Sequence, residues 1–92
     1  MKRIEIHLSE AIEEDFEHLL EEKGVTSFTK LNPSMGRGCS TPMLNNDIWP
    51  GRNTSYIIYI DEEDGVKEAI DALRKRFPGE GIAAYLTLAT EL

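Results

Sequence analysis

The sequence predicts an α+β fold, a four-stranded antiparallel sheet with two helices on one face, with its elements in the order β-α-β-β-α-β. Three observations predict it. Strict apolar alternation opens and closes the chain, two stretches of helical period separate the strand patterns, and some twenty residues without any period lie between the second and third strands.

Lys2 to Leu8 alternate, with Ile4, Ile6 and Leu8 on one side and Arg3, Glu5 and His7 on the other, as a strand with one buried face does. The period then becomes helical. Ile12, Phe16, Leu19 and Leu20 form one stripe, Ser9 is a reasonable cap, and Gly24 ends the helix. Glu13, Glu17 and Glu21 stack at four-residue intervals with almost no lysine beside them, which reads as a solvated acidic face. Val25 to Leu31 reads as a second strand whose buried face the pattern leaves open, and Asn32-Pro33 ends it. Thr54 to Ile60 resumes a strand. Asp61 or Glu62 then opens a second helix, with Val66, Ala69, Ile70, Leu73 and Phe77 inward, acids at its start and Arg74, Lys75 and Arg76 at its end. Glu63 with Lys67 and Asp71 with Lys75 have the spacing of helical ion pairs. Pro78-Gly79 stops it, and Ile82 to Ala89 closes the sheet. This is the split arrangement called ferredoxin-like, expected as a single domain over residues 1–92.

The other sheet face remains to be covered. It draws on Tyr56 or Tyr59, Phe28 or Thr29, and Tyr85, more apolar than solvent alone requires, and homo-oligomerisation would cover it. Seventeen acidic residues against ten basic ones give a net charge of −7, which argues against nucleic acid and anionic membranes as partners. No run of signal or membrane-spanning length is visible, so a cytoplasmic, non-inserted protein is expected, and the single cysteine, Cys39, fits a reducing compartment.

Function is expected in the 32–53 segment, since a long aperiodic loop in a small domain tends to be functional. Arg37, between Gly36 and Gly38, reads either as an anion site, where glycine admits close approach and arginine offers a planar fork, or as a flexible turn with a solvated arginine. Arg52 is the loop's other cation. Trp49 in Trp49-Pro50-Gly51 reads as an anchor for the loop, or with Arg52 as a contact for a partner. His7 and Cys39 are the speculative metal ligands, but no C-x-x-C or H-x-x-x-H spacing supports them. Asp61 to Asp64 lacks the spacing of a calcium loop. No hydrolase, phosphate-loop or zinc-hydrolase motif is present, so no enzymatic activity is expected.

Three segments, Gly24-Val25 through Met35-Gly36-Arg37-Gly38, Asp47 to Asn53, and Gly79-Glu80-Gly81-Ile82-Ala83-Ala84-Tyr85-Leu86, together resemble the PII signalling superfamily, more closely its small PII-like branch than the nitrogen regulators themselves. The resemblance implies a homotrimer with a flexible T-loop, here 32–53, and ligand clefts between subunits. It places Gly36, Arg37 and Gly38 at the loop base, and Gly79 and Gly81 in the turn that meets a nucleotide in the nitrogen regulators. It also implies a transporter or enzyme as a possible loop partner. The departures are specific. No lysine follows Gly81, Glu80 would repel phosphates, no basic C-terminal tail is expected, and the loop is short and lacks a tyrosine. The reading is therefore a regulatory protein that senses a small anion of unspecified identity and signals through the loop. The alternatives are a metal-binding or metal-tolerance trimer, which the same fold includes, and a ligand-free interaction module.

Overall fold

The computed structural model describes residues 1–38, 43, 44, 46 and 51–92. The strands are β1 (Lys2–Ser9), β2 (Thr29–Ser34), β3 (Asn53–Ile60) and β4 (Ala83–Leu88), with helices α1 (Glu13–Glu22) and α2 (Asp64–Arg76). They form one antiparallel sheet in the order β2-β3-β1-β4, so each βαβ crossover spans the strand of the other. The α+β ferredoxin-like arrangement read from periodicity is the observed one.

The registers sort the sheet into two faces. Ile4 pairs with Ile58 and Ile6 with Tyr56, and these join Leu8, Phe16, Leu20, Val66, Ala69 and Leu73 in one buried core beneath the helices. Phe16 and Phe28 meet the Tyr56 ring edge-on, at centroid distances of 5.1 and 5.3 Å, a geometry favoured by ring quadrupoles. Ser9 caps the chain's turn into a short 3-10 segment (Glu10–Ile12), its Oγ accepting from the Ala11 N–H at 3.3 Å. Gly24 ends the α1 region at φ +75°, where a side chain would be strained.

Four expectations change. β2 begins at Thr29, not Val25, because Val25 is drawn into the core while 25–28 stays outside the sheet. It also passes through Asn32-Pro33, a cis peptide, to Ser34, with a register shift between Leu31 and Ser34. Being an edge strand, β2 has no second ladder for Pro33 to interrupt. With β2 ending at Ser34 and β3 beginning at Asn53, residues 35–52 connect the two strands, inside the 32–53 segment expected from the sequence. Helix α2 starts at Asp64 rather than Asp61 or Glu62, and Glu63 pairs with Lys2 on β1, which projects from the helix-bearing face, instead of with Lys67.

The fourth change concerns α1. Glu13 and Glu17 are not simply solvated but accept from the sheet. Tyr56 Oη donates to Glu17 at 2.7 Å, Lys30 Nζ reaches the same carboxylate at 2.7 Å, and Asn32 Nδ2 and the Thr54 hydroxyl donate to Glu13. The missing lysine lay thirteen residues away, on β2. Burial raises the Glu17 pKa, yet the hydrogen bonds from Lys30 and Tyr56 outweigh it and leave the group below the ordinary carboxylate range.

Candidate functional site

At one end of the sheet, the polar ends of β1 and β3, the first residues of β4 and the base of the loop, with Arg74 of α2 at the margin, enclose a cleft of about 680 Å³. Alternation places His7 and Ser55 there, since both oppose the core-facing set and pair directly across β1 and β3. Gly36, Arg37 and Gly38 arrive from the loop base, and Glu80 and Gly81 from the turn before β4. The loop neck is closed by an antiparallel bridge, with Gly36 N–H donating to Met43 O at 2.8 Å and Met43 N–H to Gly36 O at 2.9 Å. Gly51 completes it. A Cβ there would lie 2.1 Å from Met43 Sδ, so the thioether packs where only glycine leaves room.

The structure thus gathers Gly36, Arg37, Gly38 and Gly81 around one space, with His7 in its wall. Gly79 lies outside that lining. Arg52 is engaged elsewhere. Its Nη2 donates to Glu10 Oε1 at 2.7 Å and its carbonyl accepts from the Glu10 N–H at 2.9 Å, which ties the loop's return limb to the end of β1. The expectations for Trp49 and Cys39 fall outside the described residues.

Arg37 is exposed, and among the described residues nothing pairs with its guanidinium. The cleft's other cation, Arg74, was not singled out in the sequence because its position marks it as a helix C-terminal charge. It lies on the ridge between this cleft and a smaller apolar groove under α2, and its Nη2 donates to Ile82 O at 3.0 Å, bracing the turn. Glu80 lines the cleft as well.

A hydrogen-bonded row crosses the cleft floor. Ser34 Oγ lies 2.9 Å from Ser55 Oγ, Ser55 Oγ 2.6 Å from His7 Nδ1, and His7 Nε2 2.9 Å from Glu5 Oε2. Glu5 Oε1 in turn accepts from Arg3 Nη2 at 3.0 Å. The bond from His7, then that from Arg3, holds the Glu5 carboxyl below its ordinary range. Ser34 and Ser55 were missed in the sequence; only the cross-strand register reveals them. Both ring nitrogens of His7 are occupied by this row, and among the described residues no group of three His, Cys, Asp or Glu side chains could hold a metal ion.

No protein-family model matches the sequence, and no curated protein matches it. Solved structures do. The fold is that of PII-like signalling proteins. CPII of Thiomonas intermedia, a nitrogen regulatory PII-like protein, matches in its complex with ADP and bicarbonate at a TM-score of 0.72 and 21% identity, over 94% of this chain and 82% of that one. Its complex with ADP, AMP and bicarbonate gives 0.73 and 19% over the same shares. A PII-like signalling protein of Thermus thermophilus gives 0.64 and 20%, over 94% of this chain and 83% of that one.

Proposed function

We propose that this protein is a PII-like regulator that senses a small anionic ligand in the cleft at the loop base and reports it through the loop. The observation that supports this most strongly is the convergence of Gly36, Arg37, Gly38 and Gly81 on one space, from two segments more than forty residues apart in the chain. Glycines give a ligand access to backbone N–H groups, and Arg37 adds a guanidinium that forms no ion pair among the described residues. The adenine nucleotides and bicarbonate bound by CPII supply the ligand classes to try first.

The remaining elements follow. The protein assembles as a homotrimer through the open sheet face, where Tyr59 and Tyr85 are more than half exposed. Arg52 anchors the return limb, Trp49 serves the loop's contact with itself or a partner such as a transporter or enzyme, and Gly79 shapes the turn beside Gly81. The domain spans 1–92 and works in the cytoplasm; among the described residues no helix is long and apolar enough to cross a membrane. Among the described residues no observation favours the metal-binding or ligand-free alternatives.

Calorimetric titration with ADP, ATP and bicarbonate, singly and combined, tests the proposal, with the emission of the single tryptophan followed in parallel. Saturable binding that Arg37→Ala weakens at least about fivefold supports it. Binding untouched by that substitution would put the ligand outside this cleft.

A further inference from the structure

We infer that Ser34, Ser55 and His7 form an oxyanion subsite in the cleft floor, one that gains a hydrogen-bond donor when His7 takes up a proton. The inference rests on the cleft reading above and adds to it both a binding surface and a proton linkage.

The geometry dictates the direction of each bond. Ionised Glu5 only accepts, so His7 Nε2 donates to it in either protonation state. In the neutral ring Nδ1 then carries the lone pair and accepts the Ser55 hydroxyl hydrogen across 2.6 Å. Ser55 Oγ in turn accepts from Ser34, 2.9 Å away. Both hydroxyl hydrogens therefore run along the row toward the imidazole, and neither is offered to the cleft.

Protonation of Nδ1 reverses the row. The new N–H must donate to Ser55 Oγ, so the Ser55 hydrogen turns away, toward Ser34 or the cleft, and one hydroxyl hydrogen of the pair is released. Ser34, Ser55 and His7 all line the cleft. The released donor and the imidazolium charge both favour an oxyanion seated there. Ser55 is buried at 4% exposure, so its hydroxyl has few alternative partners and the reversal is tightly coupled.

The surrounding charges set the background. Glu5 and Arg3 lie beside His7 on β1, with Tyr59 opposite Arg3 on β3 and Tyr85 opposite Glu5 on β4. Arg37 from the loop, Arg74 from α2 and Glu80 from the following turn line the same cleft. None of these surrounding groups is an imidazole. The ligand chemistry is that of a planar or tetrahedral oxyanion, which a free carboxylate or bicarbonate shares with the phosphate end of a nucleotide.

Acetate stays ionised between about pH 6 and about pH 8 and so isolates the protein's own titration. Affinities for acetate alone and for ADP alone are measured across that range on the wild type, His7→Gln and Ser34→Ala. The expected result is binding about three- to tenfold tighter at the acid end in the wild type, no such gain in His7→Gln, and a reduced gain in Ser34→Ala. A gain in the acetate arm assigns the subsite to a free anion; a His7-dependent gain in the ADP arm alone assigns it to the phosphates. Equal pH slopes in wild type and His7→Gln overturn the inference while leaving the cleft reading intact, and no binding to the wild type at either pH overturns both. Nitrogen NMR of the imidazole adds a ligand-free check, with the neutral ring expected as the Nε2–H tautomer; the Nδ1–H tautomer would break the row as described.

Discussion

Arg37 and Glu80 oppose each other in the candidate site, and their substitutions have opposite expected signs. Arg37→Ala should weaken anion binding while leaving the melting temperature within about a degree, because the side chain supports nothing else in the described structure. Glu80→Gln should tighten nucleotide binding about two- to fivefold by removing a like charge, read in the same titrations. Tyr56 tests the interior instead. Its ring is fully buried and burial, with Glu17 as its acceptor, pushes the phenol pKa well up, so Tyr56→Phe strands no charge but removes one donor from a carboxylate. The expected cost is about 1 kcal/mol in urea denaturation. At this scale the sequence offers candidates where chemistry is local. Gly36-Arg37-Gly38 stood out as a possible anion site from residue types alone, whereas Ser34, Ser55 and Arg74 carry no local signature and join the candidate cleft only when strands and turns bring them together.

Elements were legible in proportion to their periodicity. β1, β3 and the apolar stripes of both helices follow from alternation and helical spacing, and the left-handed Gly24 from its place after the α1 pattern. β2 was displaced because an edge strand with Pro33 and a register shift offers no alternation to read, and because Val25 belongs to the core without belonging to the sheet. The acidic face of α1 was misread for a related reason, since its partners Lys30, Asn32, Thr54 and Tyr56 lie on other elements. Two glycines separate conformation from packing. Gly24→Ala forces a side chain into φ +75° and should cost about 1 kcal/mol. Gly65→Ala places a Cβ inside α2 at ordinary contact distance, 3.4 Å from Lys23, and should be neutral or stabilising by up to about 1 kcal/mol, since helix propensity rises. Thermal melts of the two variants in one buffer make the comparison.

For the whole molecule, acid should act through three carboxylates among the described residues. Glu5, Glu17 and Glu63 are all held below the ordinary carboxylate range: Glu5 by His7 and Arg3, Glu17 by Lys30 and Tyr56 against its own burial, and Glu63 by Lys2. A carboxyl whose folded pKa is depressed contributes stability above its unfolded pKa and loses it as pH falls through the folded value. The melting temperature should therefore be level near neutrality and fall below about pH 4, with Lys2→Met flattening part of that fall. The open sheet face carries Leu31, Tyr59 and Tyr85 at more than half exposure, so light scattering should report a trimer, and Tyr59→Lys with Tyr85→Lys should shift it toward monomer. All of the proposed sensing depends on the cleft between the loop base and the turn before β4 being where the ligand sits. Amide NMR mapping during addition of ADP with bicarbonate reads that location residue by residue. The largest shifts are expected at Gly36, Arg37, Gly38, Gly81 and Ala83; shifts concentrated on the α2 groove around Val66 and Ile70, or none at saturating ligand, would refute the cleft as the binding site.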